Sequence, residues 1–140
     1  MRLLISLSLL LSLAACGSSG VAGKYSLDTK ALVDVMKKQM GPMFDQMPAD
    51  QKKQFDEMLS KMKVEMTLAA DGTFDVASEM PDGKSQIKGT YKVEGDKITM
   101  TGKEVGKDKE EVKVGTVAGA TITIEEEKNG QKMAMVFKKS

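Results

Sequence analysis

The sequence predicts a mainly β domain, in which eight short strands form an antiparallel meander with a helical insertion between strands 1 and 2. Three observations predict this fold. Apolar residues recur at every second position from residue 63 onward, the period of half-buried strands. Turn sequences such as Asp71-Gly72 separate these runs, as in β-hairpins. Residues 28–62 instead place apolar side chains three or four positions apart, as helices do. An open meander would expose two edges and one face, so we expect it to close into a small barrel.

The first strand and the helical insertion follow from local signals. Tyr25 lies in a short alternating segment, and Asp28 is suited to cap the helix that follows. Gly41-Pro42 should end this first helix, because proline cannot continue the hydrogen-bond ladder, and Pro48 suits the start of a second helix. The apolar stripes of the two helices are Ala31, Leu32, Val35, Met36 and Met40, and then Phe55, Met58, Leu59 and Met62. The insertion therefore resembles a helix-turn-helix unit.

The seven later strands share one apolar face. Lys, Glu, Asp and Thr occupy most of the alternate positions, which predicts a solvated outer surface. The predicted interior consists of Val64, Met66, Leu68, Phe74, Val76, Ile87, Tyr91, Val93, Ile98, Met100, Val112, Val114, Ile122, Ile124, Met133, Met135 and Phe137.

The chain begins with the pattern of a secretory signal peptide. Met1-Arg2 is a charged start, and the leucine-rich run Leu3–Leu13 is followed by small residues. A helix of this length spans about 16 Å, whereas the hydrocarbon core of a membrane is about 30 Å thick. We therefore expect residues 1–15 to be removed and not to serve as a transmembrane anchor.

Leu13-Ala14-Ala15-Cys16 resembles the lipobox of bacterial lipoproteins. The resemblance implies that Cys16, the single cysteine, carries diacylglycerol and an N-linked acyl chain such as palmitate. An ordinary secretory signal would leave an unpaired thiol in an oxidising compartment, which is uncommon. Residues 16–22 would then form a lipidated flexible tether with a reach of about 13 Å, followed by the barrel domain at residues 23–140. Asp after the lipidated cysteine would favour retention in the inner membrane. This chain has Gly17 there, so we expect the outer membrane of the bacterial cell envelope, facing the periplasm.

Two segments resemble lipocalins. Gly23-Lys24-Tyr25 is similar to the lipocalin G-x-W signature with Tyr in place of Trp, and "GTYKVEGDKITM" (residues 89–100) is similar to a hairpin of small bacterial lipocalin-like lipoproteins. The position of the helices is similar to that in intracellular fatty-acid-binding proteins. These resemblances imply a small lipocalin-like, calycin-type barrel with a two-helix lid between strands 1 and 2. The chain differs from fatty-acid-binding barrels in one respect. Those barrels use an internal arginine, and this chain has none after Arg2.

Composition excludes several classes of function. After the signal, 20 lysines balance 20 acidic residues, so we expect no nucleic-acid partner. The chain has no histidine, which removes the commonest general base, and we expect neither catalysis nor a cofactor. The acidic runs Glu110-Glu111 and Glu125-Glu126-Glu127 are interpreted as solvated strand ends, since adjacent strand residues point to opposite faces.

The function that we predict is a non-enzymatic binding module for a small apolar molecule or lipid. An eight-stranded barrel either holds one small ligand or fills with side chains, so an envelope protein-interaction or structural lipoprotein with a filled barrel is the alternative. The predicted ligand-binding residues are Tyr91, Met66, Phe74, Met100, Met135 and Phe137. A third hypothesis is a Cu(I) site built from Met36, Met40, Met43 and Met47, because thioethers select Cu(I). Methionines at this spacing are more often packing residues.

Replacing Cys16 by Ser tests the predicted lipidation. Because the thioether needs the cysteine sulfur, Cys16→Ser should turn a membrane-pelleting protein into one that is unprocessed or released. Cell fractionation and gel migration measure the two effects. A variant that fractionates and migrates as the wild type does would contradict the lipoprotein prediction.

Overall fold

The computed structural model describes residues 20–128 and 130–140, so the predicted signal peptide, Cys16 and Asn129 lie outside the described residues. Eight antiparallel strands form a closed barrel in the order of the chain, which confirms the predicted fold class. The strands are β1 (Gly23–Leu27), β2 (Lys63–Leu68), β3 (Thr73–Met80), β4 (Gly83–Glu94), β5 (Lys97–Glu104), β6 (Glu110–Ala118), β7 (Thr121–Lys128) and β8 (Gln131–Lys139). β1 closes the barrel by pairing with β2 on one side and with β8 on the other.

The helical insertion between β1 and β2 is also confirmed. It consists of α1 (Thr29–Met40), a short α2 (Pro42–Gln46) and α3 (Ala49–Ser60). Gly41 ends α1 with a φ of 48°, a left-handed conformation that favours glycine, and Pro42 then opens α2. The two long helices are the predicted pair, and α2 is a single turn between them.

The meander gives the barrel two different ends. At the helix end lie the helices and the β3–β4, β5–β6 and β7–β8 connections; at the closed end lie the remaining connections, the start of β1 and the end of β8. Large buried side chains fill the closed end, namely Tyr25, Leu68, Tyr91, Ile98 and Ile122. The Tyr25 hydroxyl donates to the Val21 carbonyl at 2.7 Å, and the Tyr91 hydroxyl donates to the Ala69 carbonyl at 2.7 Å. Each buried phenol therefore has a partner, as burial of a polar group requires.

Glycine allows an aromatic ring to pack across the wall. Gly89 and Gly102 face each other on β4 and β5, and Phe74 on β3 pairs with Gly89. A Cβ on Gly102 would lie 2.7 Å from Phe74 Cζ and 2.7 Å from the Lys88 carbonyl oxygen. The missing side chains thus make room for the Phe74 ring, which is buried.

The predicted inward face of β6 is wrong by one residue. Val112 and Val114 were expected in the interior, but they are 62% and 41% exposed. Gly115 is buried and pairs with both Ile98 and Ile124, two of the most buried residues. Because strand residues alternate between faces, this pairing turns both valines outward.

The helices are attached to the barrel mainly through β8. Asp28 donates its backbone N–H to the Val136 carbonyl at 2.7 Å, and Gln39 Nε2 donates to the Lys132 carbonyl. Leu32 of α1 and Leu59 of α3 are the buried apolar contacts of the two long helices, at 4% and 1% exposure. The insertion therefore covers the helix end of the barrel with one deeply buried leucine from each long helix.

Asp28 joins α1 to the barrel, which generates a prediction about stability. Its Oδ1 accepts from the Ala31 backbone N–H at 3.1 Å, and its Oδ2 lies 2.7 Å from Lys138 Nζ on β8. Asp28→Ala removes both interactions and should lower the free energy of unfolding by about 1 kcal/mol, the usual value of an N-cap. Asp28→Asn keeps a capping oxygen and should lose less. Urea denaturation measures the difference.

The same carboxyl gives the expected pH dependence. The hydrogen bond from Lys138, and then that from Ala31, hold the pKa of Asp28 below its ordinary value of 3.8. Its contribution is thus fully present above pH 3.8 and is lost as the pH falls through the lower, folded-state pKa. The gap in stability between wild type and Asp28→Asn should therefore shrink on acidification. A gap that stays constant in acid would contradict this assignment.

Candidate functional site

The barrel contains a cavity of about 440 Å³ at its helix end. Its walls come from the inner face of the sheet, and its cover comes from the helices. The helices and the chain entering β2 contribute Leu32, Met36, Met58, Leu59 and Met62. The closed end is packed with side chains, so the barrel is filled at one end and open inside at the other.

Five of the six residues predicted to bind a ligand line this cavity, namely Met66, Phe74, Met100, Met135 and Phe137. Tyr91 does not. It is buried in the closed end, where its hydroxyl donates a hydrogen bond to the Ala69 carbonyl. The predicted role of Tyr91 as a ligand-binding residue therefore does not match its position.

The charged groups of the cavity are three residues that the sequence interpretation placed in solvent, and Ser78 and Ser85 are its other polar lining residues. Glu111, Lys113 and Glu126 line the cavity together with apolar side chains. Glu111 and Glu126 belong to the acidic runs interpreted as solvated strand ends. That interpretation is corrected for Glu126, which is partly buried, whereas the Glu111 side chain lines the cavity but stays 53% exposed. We call these three residues the charged trio.

The charged trio is held together by two ion pairs. Lys113 Nζ contacts Glu126 Oε1, and it lies 3.9 Å from Glu111 Oε2. The Lys113 and Glu126 side chains are 29% and 32% exposed, and the Glu126 Oε1 atom is fully removed from solvent. Burial lowers the pKa of the Lys113 ammonium from its ordinary 10.5, and the Glu111 carboxylate opposes this shift. The pair is thus partly desolvated, unlike the ion pairs on the outer surface.

Strand alternation explains why these charges face inward. Glu126 follows the buried Ile122 and Ile124 at the same two-residue spacing, so it shares their face. Lys113 precedes the buried Gly115 by two residues and takes the inner face of β6 in the same way. The alternation of β7 alone could have placed Glu126 inside. On β6 the valines were mistaken for the inner face because they are the more apolar residues.

β6 and β7 separate at the charged trio. Their pairing runs only from Ala118↔Thr121 to Val114↔Glu125, although β6 begins at Glu110 and β7 continues to Lys128. The helix-end segments of both strands therefore extend beyond their shared ladder. Lys113 and Glu126 are the first residues past the last pair, and their side-chain contact spans the place where the wall divides.

The methionines of the proposed copper row lie in different environments. Met36 lines the cavity, whereas Met43 on α2 is 73% exposed. This placement favours the packing interpretation for Met36. Within residues 20–128 and 130–140, no three His, Cys, Asp or Glu side chains are grouped so that they could hold a metal ion. In that same part of the chain, no helix is both long and apolar enough to cross a membrane.

Comparisons with known proteins find likeness in structure but not in sequence. No protein-family model and no curated protein sequence matches the chain. The chain is similar to a solved structure described as "REP1-NXSQ fatty acid transporter", with a TM-score of 0.41 and 12% sequence identity. That match covers 86% of this chain and 96% of the other.

The Lys113–Glu126 pair should contribute more than a surface ion pair does. Its matched control is Lys84–Glu79, a cross-strand pair at 2.6 Å on β4 and β3 whose side chains are 79% and 51% exposed. Double-mutant cycles with alanine should give a coupling free energy of about 1 to 3 kcal/mol for the cavity pair and below about 1 kcal/mol for the exposed pair. Urea denaturation of the variants measures both. Equal couplings would show that the cavity does not strengthen the pair.

Proposed function

We propose that this protein is a non-enzymatic binding module that holds a small apolar molecule or a lipid chain inside the helix end of its barrel. One observation carries the proposal: a cavity of about 440 Å³ lined mostly by apolar side chains and covered by helices. Ligand sites are concave, mainly apolar, and commonly about 300 to 1,000 Å³ in volume. The cavity falls in this range.

The alternative of a filled barrel is less well supported. Seventeen predicted interior side chains could have filled the barrel, but two of them face outward and others pack at the closed end. Residual cavities in a core destabilise a protein, because the lining atoms lose their packing partners. A cavity at one end of an otherwise close-packed barrel is therefore typical of a binding site, and the alternative of a structural module has no comparable support.

A bound molecule would be held mainly by soft, adaptable contacts. Methionine side chains make up much of the lining, from α1 and α3 above to β2, β5 and β8 below. Methionine is flexible and polarisable, so it can adjust to ligands of different shape. This lining favours a range of related apolar ligands over one rigid compound.

The proposal includes anchoring in a bacterial cell envelope, at the outer membrane facing the periplasm. Its support is the lipobox-like tetrad Leu13-Ala14-Ala15-Cys16. Two or more acyl chains on Cys16 would anchor the protein stably. The short segment between Cys16 and β1 would then keep the barrel close to the lipid surface.

Filling the cavity tests the proposed binding. Val76 lines the cavity from β3, and its neighbour Ala77 is exposed on the outer face. Val76→Phe places a ring in the ligand volume and should weaken binding of the apolar fluorophore N-phenylnaphthylamine by at least about tenfold, a change of about 1.4 kcal/mol. Ala77→Phe adds the same ring outside and should bind as the wild type does. Fluorescence titration measures both affinities.

Native mass spectrometry gives a second measurement. Wild-type protein purified from its own host should carry an apolar molecule that Val76→Phe lacks. Circular dichroism of the two variants checks that each still folds. Equal binding by both folded variants, or no binding by the wild type, would contradict the proposed function.

A further inference from the structure

The charged side chains that line the cavity carry one more negative than positive charge. The charged trio contains one ammonium group, on Lys113, and two carboxylates, on Glu111 and Glu126. We infer that the ligand is an amphiphile with a cationic head group, such as a long-chain amine, whose apolar tail fills the cavity and whose head contacts the Glu111 carboxylate at the edge of the cavity. This inference rests on the proposed function and names the class of ligand for that same site.

The positive charge of Lys113 is already neutralised within the protein. Its ammonium contacts Glu126 and faces Glu111 at 3.9 Å. A carboxylate head group would have to displace one of these acids to reach Lys113. It would also bring a third negative charge into a partly desolvated space, where like charges repel more strongly than in water. Lys113 is therefore a poor receptor for a fatty-acid head group.

Glu111, by contrast, has unused capacity to accept hydrogen bonds. Its carboxylate lies 3.9 Å from Lys113 and 4.0 Å from Lys109, beyond ordinary hydrogen-bond length. The side chain is 53% exposed. An ionised carboxylate can accept several donors, and an ammonium head group supplies three. The chemistry of Glu111 thus fits a cation.

The place where the wall divides gives the head group a location. Glu111 lies on the segment of β6 that extends past the last pair with β7. It is two residues nearer to the helix end than Lys113 is. The trio is therefore at the edge of the cavity, with apolar lining such as Met100 and Met133 beside it. A tail directed inward and a head directed to this edge satisfy both parts of an amphiphile.

Competition among matched ligands tests the inference. Full-length protein carrying Cys16→Ser, so that no acyl chain competes for the cavity, is saturated with N-phenylnaphthylamine at neutral pH. Dodecylamine, dodecanol and dodecanoate are then added below their micelle concentrations. Dodecylamine should displace the probe at a concentration at least about tenfold lower than dodecanoate, with dodecanol between them.

Variants assign this preference to the trio. The double variant Glu111→Gln with Glu126→Gln leaves Lys113 unopposed, so dodecanoate should become the better competitor. Glu125→Gln removes one acid from the exposed face of the same strand and should keep the wild-type preference. A general attraction between an acidic surface and a cation would be weakened by Glu125→Gln as well, by about half as much as by the double variant because one carboxylate is removed instead of two.

The remaining outcomes separate this inference from the proposed function. Equal displacement by the three ligands, or stronger displacement by dodecanoate, would overturn the inference and leave the binding function standing. An unchanged preference in the double variant would also overturn it. Failure of the probe and of all three ligands to bind would overturn both.

Discussion

The pairing of β1 with β8 is the constraint on which the rest of the structure depends. β1 has only five residues, yet it joins β2 and β8 and leaves the sheet with no open edge. Once the sheet is closed, every second residue must face a shared interior. The helices can then cover only one end, because they connect β1 to β2 at that end. Enclosure, the filled closed end and the covered cavity all follow from this closure.

Most of the fold could be predicted because its signals are local and periodic. The hairpin turns, the two-residue alternation and the Gly41-Pro42 break each act over a few residues, and the structure has the predicted order of elements. The candidate site was less predictable. Met66 and Phe74 follow a clear apolar pattern, whereas Lys113 faces inward only because Gly115 is fixed by its neighbours on β5 and β7. The inward face of β6 is thus set by its pairing with neighbouring strands. The sequence of β6 alone does not predict it, because the apolar valines of this strand lie on the outside.

The two tyrosines and the charged trio show two ways of burying polar groups in one barrel. Tyr25 and Tyr91 each donate a hydrogen bond to a backbone carbonyl next to the closed end, so neither hydroxyl proton is left to bind a ligand. Burial, and then the nearby Tyr91, raise the pKa of Tyr25 above its ordinary 10.0. In the charged trio, by contrast, the Glu111 carboxylate has no lysine partner within ordinary hydrogen-bond length. Stability is therefore concentrated at one end, and the capacity to bind is left at the other.

The position of Val21 has a consequence for how the barrel would be oriented. Its carbonyl accepts the Tyr25 hydroxyl, and its side chain packs against the core at the closed end, so the chain preceding β1 is fixed there. A protein attached to a bilayer through Cys16 would be held by this end. The cavity mouth would then point away from the supporting leaflet. Cargo would be exchanged with partners approaching from the aqueous side, and lipids of the supporting leaflet would have no direct path into the barrel.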